Sequence, residues 1–303
     1  MIYTVTLNPS IDLIVEVPDF QLNHLNRIER ESKFPGGKGI NVSRVLNTMG
    51  VPSVALGYIG GFTGAYIHKA LESEGIQTDF VNVQEDSRIN IKLKTENETE
   101  INGQGPALTE QNMQELYKKL ENLQAGDILI LAGSIPPSLP KSFYCDITAK
   151  YRIRGVKVVV DAGGKVLADV LQQKPFLVKP NHHELSDLFG VAIHTMDDII
   201  SYGKKVLAMG AEHVIVSMAG DGALLFVNDE VYKATVPQGD VVNSVGAGDS
   251  LVAGFIGTYA QKQDLRKALQ VAVATGSATA FSKDLASKNM IDFLMDQVAI
   301  KKI

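Results

Sequence analysis

The chain has 303 residues, 45% hydrophobic and 21% charged, with a net charge of −5. This is the composition of a globular chain long enough for one large α/β domain or two small ones. It excludes a general binder of nucleic acid or anionic membrane, which needs a basic field. The single cysteine, Cys145, cannot form an internal disulfide and points to a reducing compartment, the cytoplasm. Beside Phe143, Tyr144 and Ile147 it reads as a small core residue. Residues 1–7 carry no basic segment and read as a strand rather than a signal peptide. No apolar run reaches the length of a membrane span.

In chain order, residues 2–7 form a β-branched, apolar strand broken by Asn8-Pro9-Ser10. Half-exposed strands are expected over 12–17 and 26–33, a glycine loop over 34–39, and a helix over 40–49 stopped by Gly50. A strand over 53–58 and a helix over 63–74 stopped by Gly75 complete a β-α-β-α rhythm, the signature of a parallel sheet with crossover helices. An alternating hairpin over 89–95 and 99–103, turning at Glu96-Asn97-Glu98, then interrupts it. It has too few apolar residues for a core. With the early strands it makes a small second sheet, a lid contributed by about 12–33 and 87–104, or else a solvated edge hairpin. The rhythm resumes with a helix capped by Thr109, with Met113, Leu116, Tyr117 and Leu120 on one face. Strands follow over 127–131, 157–160, 175–179 and 213–216, separated by helices over 141–152, 166–172 and 197–209. An antiparallel pair is expected over 223–227 and 231–234, and long apolar helices after residue 248 and over 265–281. No repeat or linker divides the chain, so one domain is expected over 1–303. Its polar, glycine-containing turns fall at strand ends, where open α/β sheets bind ligands.

One stretch stands out: Val242-Asn243-Ser244-Val245-Gly246-Ala247-Gly248-Asp249-Ser250, running into an apolar helix. Its glycines let backbone N–H groups approach a ligand at a helix N-terminus, where they lack intrahelical partners and the helix dipole favours an anion. A carboxylate suits such a hole if it takes a proton from a hydroxyl while the hole holds a phosphoryl group. That is phosphoryl transfer to an alcohol. Taken alone, the four residues favour an ordinary turn with an acid at a helix start, because so short a run occurs by chance. As an anion, Asp249 gains from the dipole, so its resting pKa is expected not to be high.

Other phosphate chemistries are missing. Gly37-Lys38 is followed by Gly39, and Gly164-Lys165 by Val166, so neither completes a P-loop. No G-x-G-x-x-G or G-x-S-x-G occurs. His183-Glu184-Leu185-Ser186-Asp187 begins like a zinc-protease helix but has Asp where the second His belongs. Gly36-Gly37-Lys38-Gly39-Ile40-Asn41 offers close backbone approach, a cation and a two-way amide at a helix start, a combination suited to a sugar phosphate.

Gly36-Gly37-Lys38-Gly39-Ile40-Asn41, Pro180-Asn181-His182-His183-Glu184 and Val245-Gly246-Ala247-Gly248-Asp249-Ser250, in that order, resemble the PfkB/ribokinase family of carbohydrate kinases. Thr4-Val5-Thr6-Leu7-Asn8-Pro9-Ser10-Ile11-Asp12 and Ile101-Asn102-Gly103-Gln104-Gly105-Pro106 extend the resemblance to its phosphosugar branch, over essentially the whole chain. It implies a ribokinase-like open, mostly parallel sheet with helices on both faces plus a small β-sheet lid. It implies ATP and Mg²⁺, and phosphorylation of fructose 1-phosphate at its 6-hydroxyl; tagatose 6-phosphate and fructose 6-phosphate are the competing sugars. A sugar-phosphate sensor without turnover is the alternative from another class.

By the same resemblance Asp249 is the general base, and the backbone of Gly246, Ala247 and Gly248 holds the moving phosphoryl charge. Asp12, Gly37 and Asn41 bind the sugar. Lys38, Arg88 and Arg27 clamp its phosphate. Ser134 touches the sugar or is only a turn residue. Lys179, Asn181, Ser217, Met218, Ala219, Gly220, Gly222 and Ser277 serve the nucleotide with Gly248. Ala274 and Ala278 flank adenine or are simply close helix packing. Glu184 acts on Mg²⁺ through water, because Mg²⁺ keeps much of its hydration. A homodimer through the lid strands is implied, with no nucleic-acid or membrane partner.

Overall fold

The computed structural model describes residues 1–96 and 98–303. β1 (Ile2–Thr6) lies near the middle of the main sheet, as the burial of all its residues but Tyr3 requires. β2 (Ser10–Glu16) and β3 (Arg30–Gly36) leave it for a second sheet, and α1 (Lys38–Thr48) returns the chain to β4 (Ser53–Gly60). Then come α2 (Gly61–Ser73), two short strands, β5 (Gln77–Thr78) and β6 (Val81–Val83), and the second sheet's β7 (Arg88–Lys94) and β8 (Glu98–Asn102). The rest alternates: α3 (Glu110–Leu120), β9 (Ile128–Ala132), α4 (Phe143–Ile153), β10 (Lys157–Asp161), α5 (Gly164–Leu171), β11 (Leu177–Val178), α6 (His182–Phe189), α7 (Met196–Ala208) and β12 (His213–Ser217). An antiparallel edge follows from β13 (Ala223–Val227) and β14 (Glu230–Ala234), then α8 (Ala247–Lys262), α9 (Leu265–Ala280), α10 (Lys288–Met295) and β15 (Ile300–Lys302).

The main sheet runs β15-β14-β13-β12-β11-β10-β9-β1-β4-β5, with β6 also pairing β4. It is parallel from β12 to β5 and antiparallel beyond β12. The small sheet runs β3-β2-β7-β8. Alternation along the central strands splits the core between two faces. Leu129, Leu131, Val158 and Val160 join one apolar cluster with α3–α7 residues such as Leu116, Phe143, Leu167 and Val206. Ile128, Ile130 and Val159 join the other, with Val45 of α1, Phe255 of α8 and Leu269 of α9. Helices on both faces of a mostly parallel sheet are therefore required by the strands' own burial.

Several boundaries move from their expected places. The strand expected over 26–33 begins only at Arg30 and continues to Gly36, because its pairing with β2 runs on to Ser10 opposite Gly36. Half of the expected glycine loop is thus strand. The other early strand starts at Ser10 rather than at 12. The hairpin is shifted by one residue, and Asn97 at its turn lies outside the described residues. β5, β6, α10 and β15 carried no sequence signal strong enough to be expected. Among the described residues no helix is long and apolar enough to cross a membrane.

α8 is buried continuously from Asp249 to Thr258, which needs apolar neighbours all round. α9 supplies one side, closely: a Cβ on Gly254 would lie 2.8 Å from Thr275 Oγ1 and 2.9 Å from Ala272 Cα. Gly254→Leu should therefore destabilise the protein by about 1–3 kcal/mol through overpacking, read as a lower urea midpoint at constant transition slope.

Candidate active site

A cavity of about 900 Å³ opens at the C-terminal ends of the parallel strands, with the small sheet along one side. It brings together Asp12, Gly37, Lys38, Asn41, Arg88, Ser134, Lys179, Asn181, Glu184, Ser217, Ala219, Gly220, Gly222, Gly246, Ala247, Gly248, Asp249 and Ser277. These residues come from both ends of the chain, and the strand-end turns gather them.

At the start of α8, Gly246 is left-handed (φ 78°), and a Cβ there would meet Leu285 Cδ2 at 2.8 Å. Only glycine makes this turn without strain. No side chain of the described residues caps the helix, and although Ala247 N–H bonds back to Ser244 O at 3.3 Å, the helix start lines the cavity, where the dipole attracts an anion. Lys179 Nζ sits 3.4 Å from where a Gly248 Cβ would be. It thus stands beside the start of α8.

Asp249 is 6% exposed and accepts a 2.8 Å hydrogen bond from Asn41 Nδ2 of α1. Its pKa is pushed up to about 6, by burial first and the negative charge of Asp161 second; Lys38, the Asn41 bond and Lys179 oppose the shift. This corrects the expectation from the helix dipole alone. Desolvation in a closed cavity outweighs a dipole that acts only over the first turn.

Asp161, at the end of β10, escaped sequence reading. It is buried between two cations, with Lys38 Nζ and Lys179 Nζ each 3.4 Å from one of its oxygens. Burial pushes its pKa up, but Lys179 and Lys38 outweigh burial and hold it below the usual carboxylate range. Burial lowers the pKa of Lys38, while Asp161, Asp249 and Glu184 together hold it above the ordinary lysine value. An acid at a strand end is common, so nothing local marked Asp161.

On the small sheet, Arg88, Asn90 and Lys92 alternate toward the cavity along β7. Arg88 is held by carbonyls, Nε on Asn8 O at 3.1 Å and Nη1 on Gly103 O at 3.4 Å. Its charge is left for an anion, although burial lowers its pKa despite Asp12. Lys92 has Glu100 at 3.5 Å across the hairpin. Asp12 Oδ1 accepts bonds from Ser10 Oγ (2.7 Å) and Asn90 Nδ2 (3.0 Å). Thr6, Asn8, Asn90, Lys92, Glu100, Asn102 and His182 also line the cavity. Buried atoms without a hydrogen-bond partner collect among its lining residues: Thr6 Oγ1, Asn8 Oδ1, Asn90 Oδ1, Asp161 Oδ1 and His182 Nδ1. Such orphans mark a surface built to meet a polar ligand. The period-two pattern of β7 could have exposed Asn90 and Lys92 in the sequence.

Two expected residues do not reach the cavity. Arg27 lies exposed in the loop before β3, because that strand starts only at Arg30. Met218 is 3% exposed in the core, and its N–H bonds to Gly222 O, so it pins the turn from below. Ala274 and Ala278 are fully buried, and the cavity is lined instead by their neighbours Val273, Gly276 and Ser277.

Beyond β11, Asn181 and Glu184 form a reciprocal cap of α6: Asn181 Oδ1 accepts from Glu184 N, and Glu184 Oε2 from Asn181 N. Residues 5–291 match the pfkB family carbohydrate kinase model. The chain belongs to the pfkB family of carbohydrate kinases. It is 51% identical to the 1-phosphofructokinase of Bacillus subtilis over all of both chains. It is 38% identical to the D-tagatose-1-phosphate kinase of Bacillus licheniformis over 99% of each. The crystal structure of phosphofructokinase-2 from Escherichia coli in complex with substrates and products superposes with a TM-score of 0.93 at 28% identity, covering 98% of each chain. Ribokinase from Arabidopsis thaliana superposes with a TM-score of 0.81 at 20% identity, covering 97% of this chain and 98% of that chain, so the fold is ribokinase-like, with the small sheet set apart from the main one.

The raised pKa of Asp249 has a stability consequence of definite sign. Between the ordinary value of 3.8 and about 6 the folded state holds a proton that the unfolded chain releases. Stability contributed by this group therefore falls as pH rises through that window. Asp249→Asn should stabilise the protein at pH 8 by about 2–3 kcal/mol, with the gain shrinking toward zero near pH 4. Denaturation at the two pH values measures it.

Proposed function

We propose that this chain transfers the γ-phosphoryl group of ATP to the 6-hydroxyl of fructose 1-phosphate, giving fructose 1,6-bisphosphate and ADP. The observation that carries the reading is the buried Asp249 carboxylate at an uncapped helix start, in one cavity with Lys38 and Arg88. The bacterial relatives named 1-phosphofructokinase, at 51% and 39% identity over the whole chain, support it.

In this reading Lys38 and Arg88 hold the phosphate already on the sugar, and Asp12 and Asn41 hold its hydroxyls. The acceptor oxygen faces Asp249, which takes its proton as the oxygen bonds to phosphorus and the bond to the ADP oxygen breaks. Asn41 orients the base; Lys179 and the N–H groups of 246–248 meet the charge on the moving group. Ser134 lies at the sugar end, with Asn181, Ser217, Ala219, Gly220, Gly222 and Ser277 along the nucleotide. Glu184 suits Mg²⁺ held through water: Oε2 is committed to its cap, while a Cβ on Gly163 would crowd Oε1 at 3.2 Å, so glycine there keeps space beside the free oxygen. Bound Mg²⁺ would neutralise charge on the nucleotide phosphates.

A second reading, tagatose 1-phosphate as acceptor, is favoured by the Bacillus licheniformis relative's name and keeps the phosphate at carbon 1. We also read 1–303 as one domain with a lid from about 12–33 and 87–104. Its outer side exposes Ile89 (38%) and Ile101 (55%), which suits a homodimer formed through the lid strands. A cytoplasmic location suits the unpaired Cys145.

The decisive assay is ADP release with fructose 1-phosphate, tagatose 1-phosphate, tagatose 6-phosphate and fructose 6-phosphate in turn; fructose 1-phosphate should have the highest kcat/KM. Asp249→Asn should lower kcat by about 10²–10⁴ while sugar-phosphate binding persists in calorimetry. Arg88→Ala should act mainly by raising KM for the sugar phosphate. Because the base must be ionised, kcat/KM should fall as pH drops below about 6. A flat profile from pH 5 to 8 would remove Asp249 from that role.

A further inference from the structure

Arg44 does not line the cavity, yet it ties down the segment packed against the start of α8. Its side chain is 11% exposed. One edge of its guanidinium makes a two-pronged pair with Asp284, Nη1 to Oδ1 at 3.2 Å and Nη2 to Oδ2 at 2.8 Å. Its Nε meets both oxygens of Glu74 at 3.0 Å. Planar, bidentate pairing of this kind fixes orientation as well as charge.

The segment that Asp284 anchors lies directly against the catalytic turn. Ala280 O accepts from Val242 N and Asn243 N, and Lys283 O accepts from Asn243 Nδ2 at 3.3 Å. Asn243 Oδ1 in turn holds Val245 N at 3.1 Å. Leu285 packs where a Cβ of Gly246 would stand, and Thr279 Oγ1 links Ser250 Oγ to Ala286 N. Arg44, Asp284, Asn243 and Val245 line one small cavity of about 30 Å³, room for roughly one water molecule. The turn therefore has little freedom while the segment is held. Arg44 also belongs to the helix that begins with Lys38 and carries Asn41, the partner of Asp249. One rigid helix thus registers the sugar-phosphate cation, the base and the underside of the anion hole.

We propose that the Arg44–Asp284 pair is a positioning device that holds the anion hole in register with Asp249. Neither residue touches a reactant, and the pair acts through residues 279–286. Displacing a hole by an ångström is enough to cost roughly a hundredfold in rate.

Glu74 provides a matched control. It is as exposed as Asp284, at 34% against 36%, and it bonds the same guanidinium, but it lies at the end of α2, away from the catalytic turn. Asp284→Ala and Glu74→Ala each leave Arg44 with one carboxylate, so neither strands a buried charge. In hydrogen–deuterium exchange, Asp284→Ala should speed exchange in residues 242–250 by about tenfold or more, while Glu74→Ala leaves that segment as in the parent. In turnover, Asp284→Ala should lower kcat roughly ten- to a hundredfold with the sugar-phosphate KM little changed, and Asp284→Glu should recover most of the loss. The turnover arm rests on the proposed kinase reaction; the exchange arm does not, so failure of that reaction leaves the clamp still judged. Equal exchange in the two alanine variants, or parental exchange over 242–250 in Asp284→Ala, overturns the proposal.

Discussion

Asn41 and Asp249 are 208 residues apart in the chain and share one buried hydrogen bond. The site depends on it. Asn41 belongs to the helix that follows the glycine run beside β1, and Asp249 to the helix that follows the antiparallel edge. Joining them places the glycine loop before α1 and the start of α8 on two sides of one cavity. A carboxylate so deeply desolvated needs a donor, and the amide supplies one without adding charge. Asp249 keeps its geometry and a pKa pushed up to about 6, which suits the proposed role of general base.

The electrostatics of the cavity rest on the same economy of charge. A chain of net charge −5 must draw anionic reactants with local cations alone. Lys38 and Lys179 share Asp161, which lets two lysines stand close together in a buried site and helps hold Lys38 above the ordinary lysine value. Asp161 also raises Asp249. One buried acid thereby serves both halves of the site: it steadies the cations and discourages ionisation of the base. Arg88 stands apart, its Nε and Nη1 bonded to carbonyls, with Asp12 near enough to act on its charge.

Much of this was legible in residues 36–41, 180–184 and 245–250, because each motif is local. Glycine, a polar side chain and a helix start within six residues define their own backbone geometry, whatever surrounds them. The catalytic turn, the Asn181–Glu184 cap and the alternating sheet all follow from such short-range rules. Arg27 and Met218 failed for the converse reason. Position near a motif does not say where a strand begins or which side of a turn faces the core, and β-pairing and packing decided both. The short strands β5 and β6 and the closing β15 depend on neighbours for nearly all their hydrogen bonds, so little in their own residues announces them.

The sequence by itself determined the layered α/β architecture and the glycine turns and helix starts that carry the pfkB motifs, since periodicity, glycine placement and helix starts are local properties of the chain. Tertiary structure alone decided the raised pKa of Asp249, the ion pairs of Asp161, the inward face of the small sheet and the Arg44–Asp284 tie. Each of these is a relation between residues far apart in sequence. Desolvation and ion pairing act through space, and their sign depends on what else is buried nearby.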